Sequence, residues 1–399
     1  MRRILPPSVN ACRRIPGPSR RRSRWRRGAV GSSRSEQTAA ACLPQPRRVC
    51  LIRLSALGDV THLLPIVHTL RQVWPETAVT WVIGRREYRL ASLLPDIDFR
   101  VLDKNAGWRG YRNLRRDLLG DSFDLLLLMQ VSMRAHLASL CVRAQRRLGY
   151  DTVRARDLHG LFVNERIPHR DREHVLDAQF GFLEHLGIHE RHMDWTLPIP
   201  AADRCWAERQ LPGAHPTLLI SPASSVALRN WPAGHYAAVA AHAQRSHGMR
   251  VVLCGGPSAA ERALADAIKA AMPGRTLIDL VGRDTLPRLL ALFERATVLL
   301  GPDSGPAHMA AITDTPVIGL YGVSNPARCG PYKSIDWCVD GYTPACEQIL
   351  GCPASALPWG TRIESHDAMR MVPVAAVCEQ LDRLIAAQTP EPARHTRSA

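Results

Sequence analysis

Two short stretches of this 399-residue chain carry the residue types that could do chemistry. They are Arg53-Leu54-Ser55-Ala56-Leu57-Gly58-Asp59 and Gly301-Pro302-Asp303-Ser304-Gly305-Pro306-Ala307-His308. Each follows a short apolar run and opens a helical pattern. In open α/β sheets, ligands bind at the carboxyl ends of strands. Helix N-termini there offer unpaired N–H groups to anions. In the first stretch Gly58 permits a tight turn and Asp59 stands at or beside the helix start. Two readings of Asp59 stay open. It caps the helix by accepting a backbone N–H, or it takes a proton from a substrate hydroxyl. In the second stretch the backbone of Gly301, Ser304 and Gly305 can approach a diphosphate. Pro306 suits a first helical turn. Asp303 caps the helix or binds sugar hydroxyls, and His308 is a structural imidazole or a ligand contact.

Further motifs join these two. Ser221-Pro222-Ala223-Ser224-Ser225-Val226-Ala227-Leu228-Arg229-Asn230-Trp231-Pro232 places Ser224, Ser225 and Arg229 within six residues. Two hydroxyls and an always-charged guanidinium fork make a phosphate clamp, although a Ser-Ser pair alone reads as a turn. Cys254-Gly255-Gly256-Pro257 leads to Glu261, a carboxylate that reaches a ribose hydroxyl or merely favours a helix N-terminus. Metal-like patterns are weaker. Asp96-Ile97-Asp98 precedes an edge-like strand and reads as structural. His169, Asp171 and His174 lie in a charged, solvated loop. Cys329, Cys338, Cys346 and Cys352 lack the paired short spacing of a zinc site. No metal and no cofactor are expected.

The elements that must position these residues alternate in type. Val49–Leu54, Thr77–Ile83, Phe99–Leu102 and Phe123–Met129 read as strands, with shorter ones at Arg147–Tyr150 and Leu161–Val163. Val60, Leu63, Leu64, Val67, Leu70 and Trp74 fall at helical spacing, and Tyr111–Leu119 reads as a further helix. A second unit repeats the grammar. Its strands are Thr217–Ser221, Val251–Cys254, Leu277–Leu280, Val298–Leu300 and Val317–Tyr321. Its helices are His235–Arg245, Ala259–Ala271, Leu286–Arg295 and Pro306–Ile312. This alternation predicts an α/β protein with two doubly wound parallel sheets. The expected organisation is an Arg-rich extension over 1–47, an N-terminal Rossmann-like domain over 48–190 and a linker over 191–215. A C-terminal Rossmann-like domain follows over 216–373, then a helix over 374–388 and a loose tail over 389–399.

Composition narrows the class. The chain is 46% hydrophobic and 22% charged, with a formal net charge of +16. The first 48 residues hold thirteen Arg, no Lys and one acid, Glu36, so they account for +12 and leave +4 to the rest. The basicity therefore belongs to a Pro/Ser/Arg-rich segment without apolar periodicity, expected to be disordered. It reads as an inert or non-native extension, an arm touching polyanions or membranes, or a transit peptide. A specific nucleic-acid binder is disfavoured. No apolar run approaches the roughly 18 residues of a membrane span, and no secretory h-region stands out. The 11 cysteines read as reduced thiols of a cytoplasmic protein. The first loop lacks G-x-G-x-x-G, which counts against an NAD-dependent oxidoreductase. An epimerase or hydrolase acting on nucleotide sugars would share the same donor motifs.

Taken in order, RLSALGDVTHLLP at 53–65, SPASSVALRNWP at 221–232, CGGPSAAE at 254–261, GPDSGPAHMAA at 301–311 and PWGTRI at 358–363 resemble glycosyltransferase family 9, the ADP-heptose:lipopolysaccharide heptosyltransferases. The resemblance spans roughly residues 49–388. It implies a GT-B architecture, with two Rossmann-like domains facing a central cleft, and inverting, metal-independent transfer of heptose from ADP-heptose to the inner core of lipopolysaccharide. Asp59 matches the family's catalytic base. Ser224, Ser225, Arg229, Glu261, Asp303, Ser304, Gly305 and His308 match donor-binding positions, with Arg229 where many members carry Lys. Arg53, Ser55, Gly58, Arg85 and Arg86 are candidate acceptor contacts. Arg85, Arg86, Arg89, Lys104, Arg109, Arg112, Arg115 and Arg116 make the N-terminal unit basic, which suits an anionic acceptor met peripherally on the cytoplasmic face of the inner membrane. The adenine contact has no clear counterpart; the register points near Gly282–Asp284.

Overall fold

A computed structural model describes residues 45–388; the extension before them and the tail after them lie outside the described residues. Twelve strands form two six-stranded sheets among the described residues. The first holds β1 (Arg48–Ile52), β2 (Ala78–Gly84), β3 (Asp98–Leu102), β4 (Phe123–Leu128), β5 (Ala144–Gly149) and β6 (Glu165–Arg166) in the order β3-β2-β1-β4-β5-β6. The second holds β7 (Thr217–Ile220), β8 (Arg250–Leu253), β9 (Ile278–Asp279), β10 (Val298–Pro302), β11 (Val317–Tyr321) and β12 (Val339–Asp340) in the order β12-β11-β10-β7-β8-β9. All neighbouring strands are parallel. Both sheets thus have the same winding, with one strand-order reversal each, at β1/β4 and at β7/β10. Such a reversal opens a crevice at the strand ends, where ligands bind.

The helices are α1 (Leu57–Thr61), α2 (Leu63–Val73), α3 (Arg85–Ala91), α4 (Trp108–Asp117), α5 (Met133–Ser139), α6 (Val175–His185), α7 (Ala201–Gln210), α8 (Ala233–His247), α9 (Ala259–Ala270), α10 (Leu286–Phe293), α11 (Gly305–Met309), α12 (Pro326–Cys329), α13 (Tyr342–Leu350) and α14 (Val374–Gln388). The central strands β1 and β4 carry near-continuous apolar runs that are buried on both faces, as parallel strands covered by helices require. The largest apolar cluster runs without interruption from Leu51, Leu63 and Phe180 to Leu219, Phe293 and Met309. One core therefore ties the two sheets together. No helix among the described residues is long and apolar enough to cross a membrane.

Several boundaries differ from the sequence reading for physical reasons. The helix expected from Val60 to Trp74 breaks at His62 into α1 and α2. Leu161–Val163 is not a strand; a 3-10 turn at His159–Leu161 precedes β6. The expected linker contains α7, a helix with only Ala207 buried that packs along α10. Its apolar stripe is too thin to announce a helix. The 306–312 helix is only the five-residue α11 plus a 3-10 turn. Its start therefore offers individual N–H groups rather than a long macrodipole.

Candidate active site

The first loop leaves β1 at the strand-order reversal. Gln130, just beyond β4, braces it. Its Oε1 accepts from the Leu54 N–H (2.7 Å) and the Ser55 N–H (3.3 Å), and its Nε2 donates to Ser55 Oγ (3.3 Å). Arg53 turns inward. It donates from Nη1 to the Met129 carbonyl at 2.5 Å and pairs through Nη2 with Asp59 Oδ2 at 2.6 Å. The same oxygen accepts the Ala56 N–H at 3.1 Å. Asp59 therefore does cap α1, reaching back from its first turn, yet that job uses Oδ2 alone. Oδ1 has no protein donor, and the side chain keeps 34% of its surface exposed. Burial acts to raise this carboxyl. The Arg53 charge and the Ala56 hydrogen bond outweigh it, so Asp59 is held below its usual value and ionised at neutral pH.

The second loop leaves β10 at the other reversal and is tied to the clamp. Ser224 Oγ donates to the Asp303 carbonyl at 3.0 Å, and Arg229 Nη1 to the same carbonyl at 3.3 Å. Arg229 Nη2 pairs with Asp303 Oδ2 at 3.2 Å, and His308 Nε2 lies 3.7 Å from Oδ1. Asp303 is buried. Desolvation would raise its carboxyl, but the His308 hydrogen bond and the Arg229 charge bring it down to about 2. Three buried polar atoms here lack a protein partner: Arg229 Nε, Ser304 Oγ and His308 Nδ1. Asn230 Oδ1 accepts the Ser224 N–H at 2.7 Å and fixes the bend. Ser225 stands exposed at the loop tip.

The two loops touch. A Cβ on Gly58 would collide with the His308 ring, and a Cβ on Gly305 would stand 3.0 Å from Leu57 Cδ2. Both glycines are needed for this approach, which brings His308 within electrostatic reach of Asp59. Beside the contact lies a row of imidazoles. His62 packs edge-on against His308 (4.8 Å between ring centres) and His174 (5.5 Å). His62 is buried with both nitrogens unpartnered, and burial pushes it well below the usual imidazole range. His174, which we read as a solvated loop residue, is buried instead. Its Nε2 meets the Gly330 carbonyl at 3.0 Å, its Nδ1 accepts the Leu176 N–H at 3.1 Å, and burial lowers it to about 4.

Beyond β8, the neighbour of β7 in the second sheet, Glu261 sits in the first turn of α9, whose N-cap is Ser258. Its carboxylate lies over Gly256, where a Cβ would come within 2.6 Å of Oε2. Near it is Asp284, whose Oδ2 is buried without a partner and whose carboxyl is pushed up to about 7, mainly by desolvation. Beside the first loop, a cavity of about 200 Å³ opens at the ends of β2 and β3. It is lined by Ser55, Arg85, Arg86, Arg89, Lys104 and Arg134, with Glu87 and Asp103 among them. Arg109, Arg112, Arg115 and Arg116 lie apart from it, on the exposed face of α4.

The structure thus gathers Asp59, Gly58, Arg229, Ser224, Asp303, Ser304, Gly305 and His308 around one junction. Ser55, Arg85 and Arg86 line the neighbouring cavity. Glu261 is set apart on the flank of the second sheet. Arg53 has both ends of its guanidinium engaged, by Asp59 and by the Met129 carbonyl, and so positions the carboxylate. Asp96 pairs with Arg71 at 2.9 Å, and Asp98 accepts from Thr80 at 3.1 Å, as structural carboxylates do. Sequence reasoning missed Gln130, His62 and Arg134, and reached Asp284 only as the end of the Gly282–Asp284 stretch. A His three residues beyond Asp59, at the end of a five-residue helix, was a readable signal for His62; nothing local announces Gln130.

Two like-wound Rossmann sheets whose switch-point loops meet, one bearing a half-open carboxylate and the other an Arg/Ser clamp, define a GT-B glycosyltransferase. The model of glycosyltransferase family 9 (heptosyltransferase) matches residues 111–352, and the chain belongs to this family. It is 37% identical over 339 residues to the lipopolysaccharide core heptosyltransferase OpsX of Haemophilus influenzae, covering 85% of this chain and 97% of that protein. It is 26% identical to lipopolysaccharide heptosyltransferase 3 of Escherichia coli, over 67% of this chain and 80% of that one. Among solved structures, E. coli heptosyltransferase WaaC with ADP superposes with a TM-score of 0.63 at 18% identity, covering 84% of this chain and 99% of that chain. A family 9 glycosyltransferase from Veillonella parvula gives 0.71 at 22% identity, over 86% and 98%.

Proposed function

We propose that this enzyme transfers heptose from ADP-heptose to the inner core of lipopolysaccharide by a single inverting displacement, with Asp59 as the base. The observation that carries the reading is the division of labour within the Asp59 carboxylate. Oδ2 is saturated by Arg53 and Ala56, so the group is fixed and ionised, while Oδ1 is free at the junction with the donor loop. Asp59 Oδ1 takes the proton of the acceptor hydroxyl as that oxygen bonds to the anomeric carbon. The bonding pair of the breaking C–O bond leaves with ADP on the opposite face. Arg229, Ser224, Ser225 and the N–H groups around Ser304 and Gly305 receive the phosphate charge. Asp303 and His308 hold sugar hydroxyls, and Glu261 reaches the ribose. Arg229 exchanges part of its pairing with Asp303 for the diphosphate when donor binds.

The cavity lined by Arg85, Arg86, Arg89, Lys104 and Arg134 fits the acidic sugars and phosphates of such an acceptor. The apolar surface is uneven in a way that suits a membrane-borne substrate. Trp108, Leu119, Leu140, Val153, Leu158 and Leu161 are all strongly exposed and all belong to the first sheet's half. The arginines of α4 surround Trp108 and support peripheral contact with an anionic leaflet.

The test is product analysis. Purified protein with ADP-heptose should release ADP only when a truncated core acceptor is added, and the new linkage should have inverted anomeric configuration. Equal ADP release without acceptor would make the enzyme a hydrolase. Activity restricted to UDP- or GDP-sugars would overturn the heptosyl assignment.

A further inference from the structure

The C-terminal helix α14 crosses α8 far from the chemistry, and three metal-ligating side chains converge at that crossing. His242 Nε2 lies 2.7 Å from Asp382 Oδ1, and His247 Nε2 lies 2.6 Å from the same oxygen. The donor atoms of all three residues fall within 4.8 Å of one another. Five residues apart on a helix, two side chains normally point about 140° away from each other. Here they meet because His247 is the last residue of α8, where Gly248 turns left-handed and ends the helix. The two rings stand 76° apart with centres at 5.8 Å, so their Nε2 edges converge and their faces do not stack. The remaining nitrogen of His242 is addressed as well, since Ser246 Oγ lies 3.4 Å from Nδ1.

We infer that His242, His247 and Asp382 form a binding site for a borderline divalent metal ion of the zinc class, fastening α14 to α8. Two imidazoles and one carboxylate suit zinc, nickel or cobalt and not magnesium or calcium, which prefer oxygen ligands. Zinc bonds of about 2.0–2.2 Å in tetrahedral geometry set ligand atoms roughly 3.3 Å apart. The Asp382 carboxylate must therefore retreat by about half an ångström from its present hydrogen bonds. Its side chain is 47% exposed and can do so by rotation, whereas the imidazoles, at 22% and 19% exposed, are the more confined ligands. In the bound state each imidazole presents an unprotonated Nε2 to the metal and carries its single ring proton on Nδ1, from which His242 donates to Ser246 Oγ. Such an outer partner fixes the tautomer of a metal-bound imidazole. Water completes the coordination shell. The site is structural. α8 starts at Ala233, directly after the Arg229 clamp, and its 15 residues place His247 about 20 Å from that end.

The experiment uses the full chain, free of any histidine tag and stripped with chelator. It measures Zn²⁺ uptake by calorimetry, the visible absorption of a Co²⁺-substituted sample, and the melting temperature with and without Zn²⁺. One equivalent should bind, and melting should rise by a few degrees. His247→Gln and Asp382→Asn should each weaken uptake by more than the roughly 10–100-fold lost with an outer-shell partner, and should abolish both the Co²⁺ band and the thermal shift. Circular dichroism checks that these surface variants fold. Turnover should be the same with Zn²⁺ or EDTA. Undiminished uptake in both variants would assign the metal to the cysteines and overturn the site; so would the absence of saturable uptake by the unmodified chain.

Discussion

Each half of the molecule places an Arg–Asp pair at the point where its strand order reverses, and the two pairs are built for different work. Arg53–Asp59 is the closer, at 2.6 Å, yet Asp59 keeps 34% of its side chain exposed and one oxygen unengaged. Arg229–Asp303 is longer, at 3.2 Å, but Asp303 is only 10% exposed and both its oxygens face side-chain nitrogens, Arg229 Nη2 and, at 3.7 Å, His308 Nε2. The first pair fixes a carboxylate without using it up, as a base requires. The second neutralises a buried carboxylate and keeps a guanidinium in a dry site, where its attraction for phosphate is strongest. In the proposed mechanism the same two residue types serve reaction in one half and retention in the other, and exposure is what separates them.

Breaking the first pair should have the largest effect. Asp59→Asn keeps the Ala56 cap available but removes the proton acceptor, so kcat should fall by roughly 10²–10⁴-fold in steady-state assays of ADP release. Breaking the second should act on binding. Arg229→Ala should weaken ADP binding by about 1.5–3 kcal/mol, the scale of a hydrogen bond to a charged group, with partial recovery in Arg229→Lys. Calorimetric titration reads both.

A smaller effect concerns stability, and it sharpens the contrast between the junction and its surroundings. His159 and His174 are held neutral by burial, each brought down to about 4 from an ordinary 6.5. The unfolded chain takes up protons near pH 6.5 and the folded chain does not. Stability is therefore complete above that pH and drains away as pH falls toward 4. At pH 5 each residue should cost about 2 kcal/mol relative to neutral pH. Asp303, held near 2, works in a lower window: it contributes stability above its ordinary 3.8, lost as pH falls from there toward 2. Denaturant melts from pH 7 to 5 should show the first loss and not the second.

Much of this was legible before any coordinates. The apolar runs of β1, β4, β7 and β10 and the small residues after them located both switch points, because buried parallel strands need continuous hydrophobicity and their crevices need tight turns. The roles of Gln130 and His174 were not legible. Each works through a partner remote along the chain, Gln130 on Leu54 and Ser55, and His174 on Gly330. Arg53 was legible as a candidate acceptor contact, whereas the direction of its guanidinium, back to Asp59 and Met129, is set only by the fold. The helix α7 was missed because its burial is confined to Ala207, so no periodic stripe marks it.

The most direct test compares the two aspartates within one experiment, measuring turnover and ADP affinity in Asp59→Asn and Asp303→Asn. The account predicts opposite patterns. Asp59→Asn should lose turnover and bind ADP as the unmodified enzyme does, whereas Asp303→Asn, which leaves Arg229 without its counter-charge, should change ADP affinity markedly. Equal loss of turnover in both variants with no change in ADP affinity in either would contradict the assignment of one pair to reaction and the other to retention.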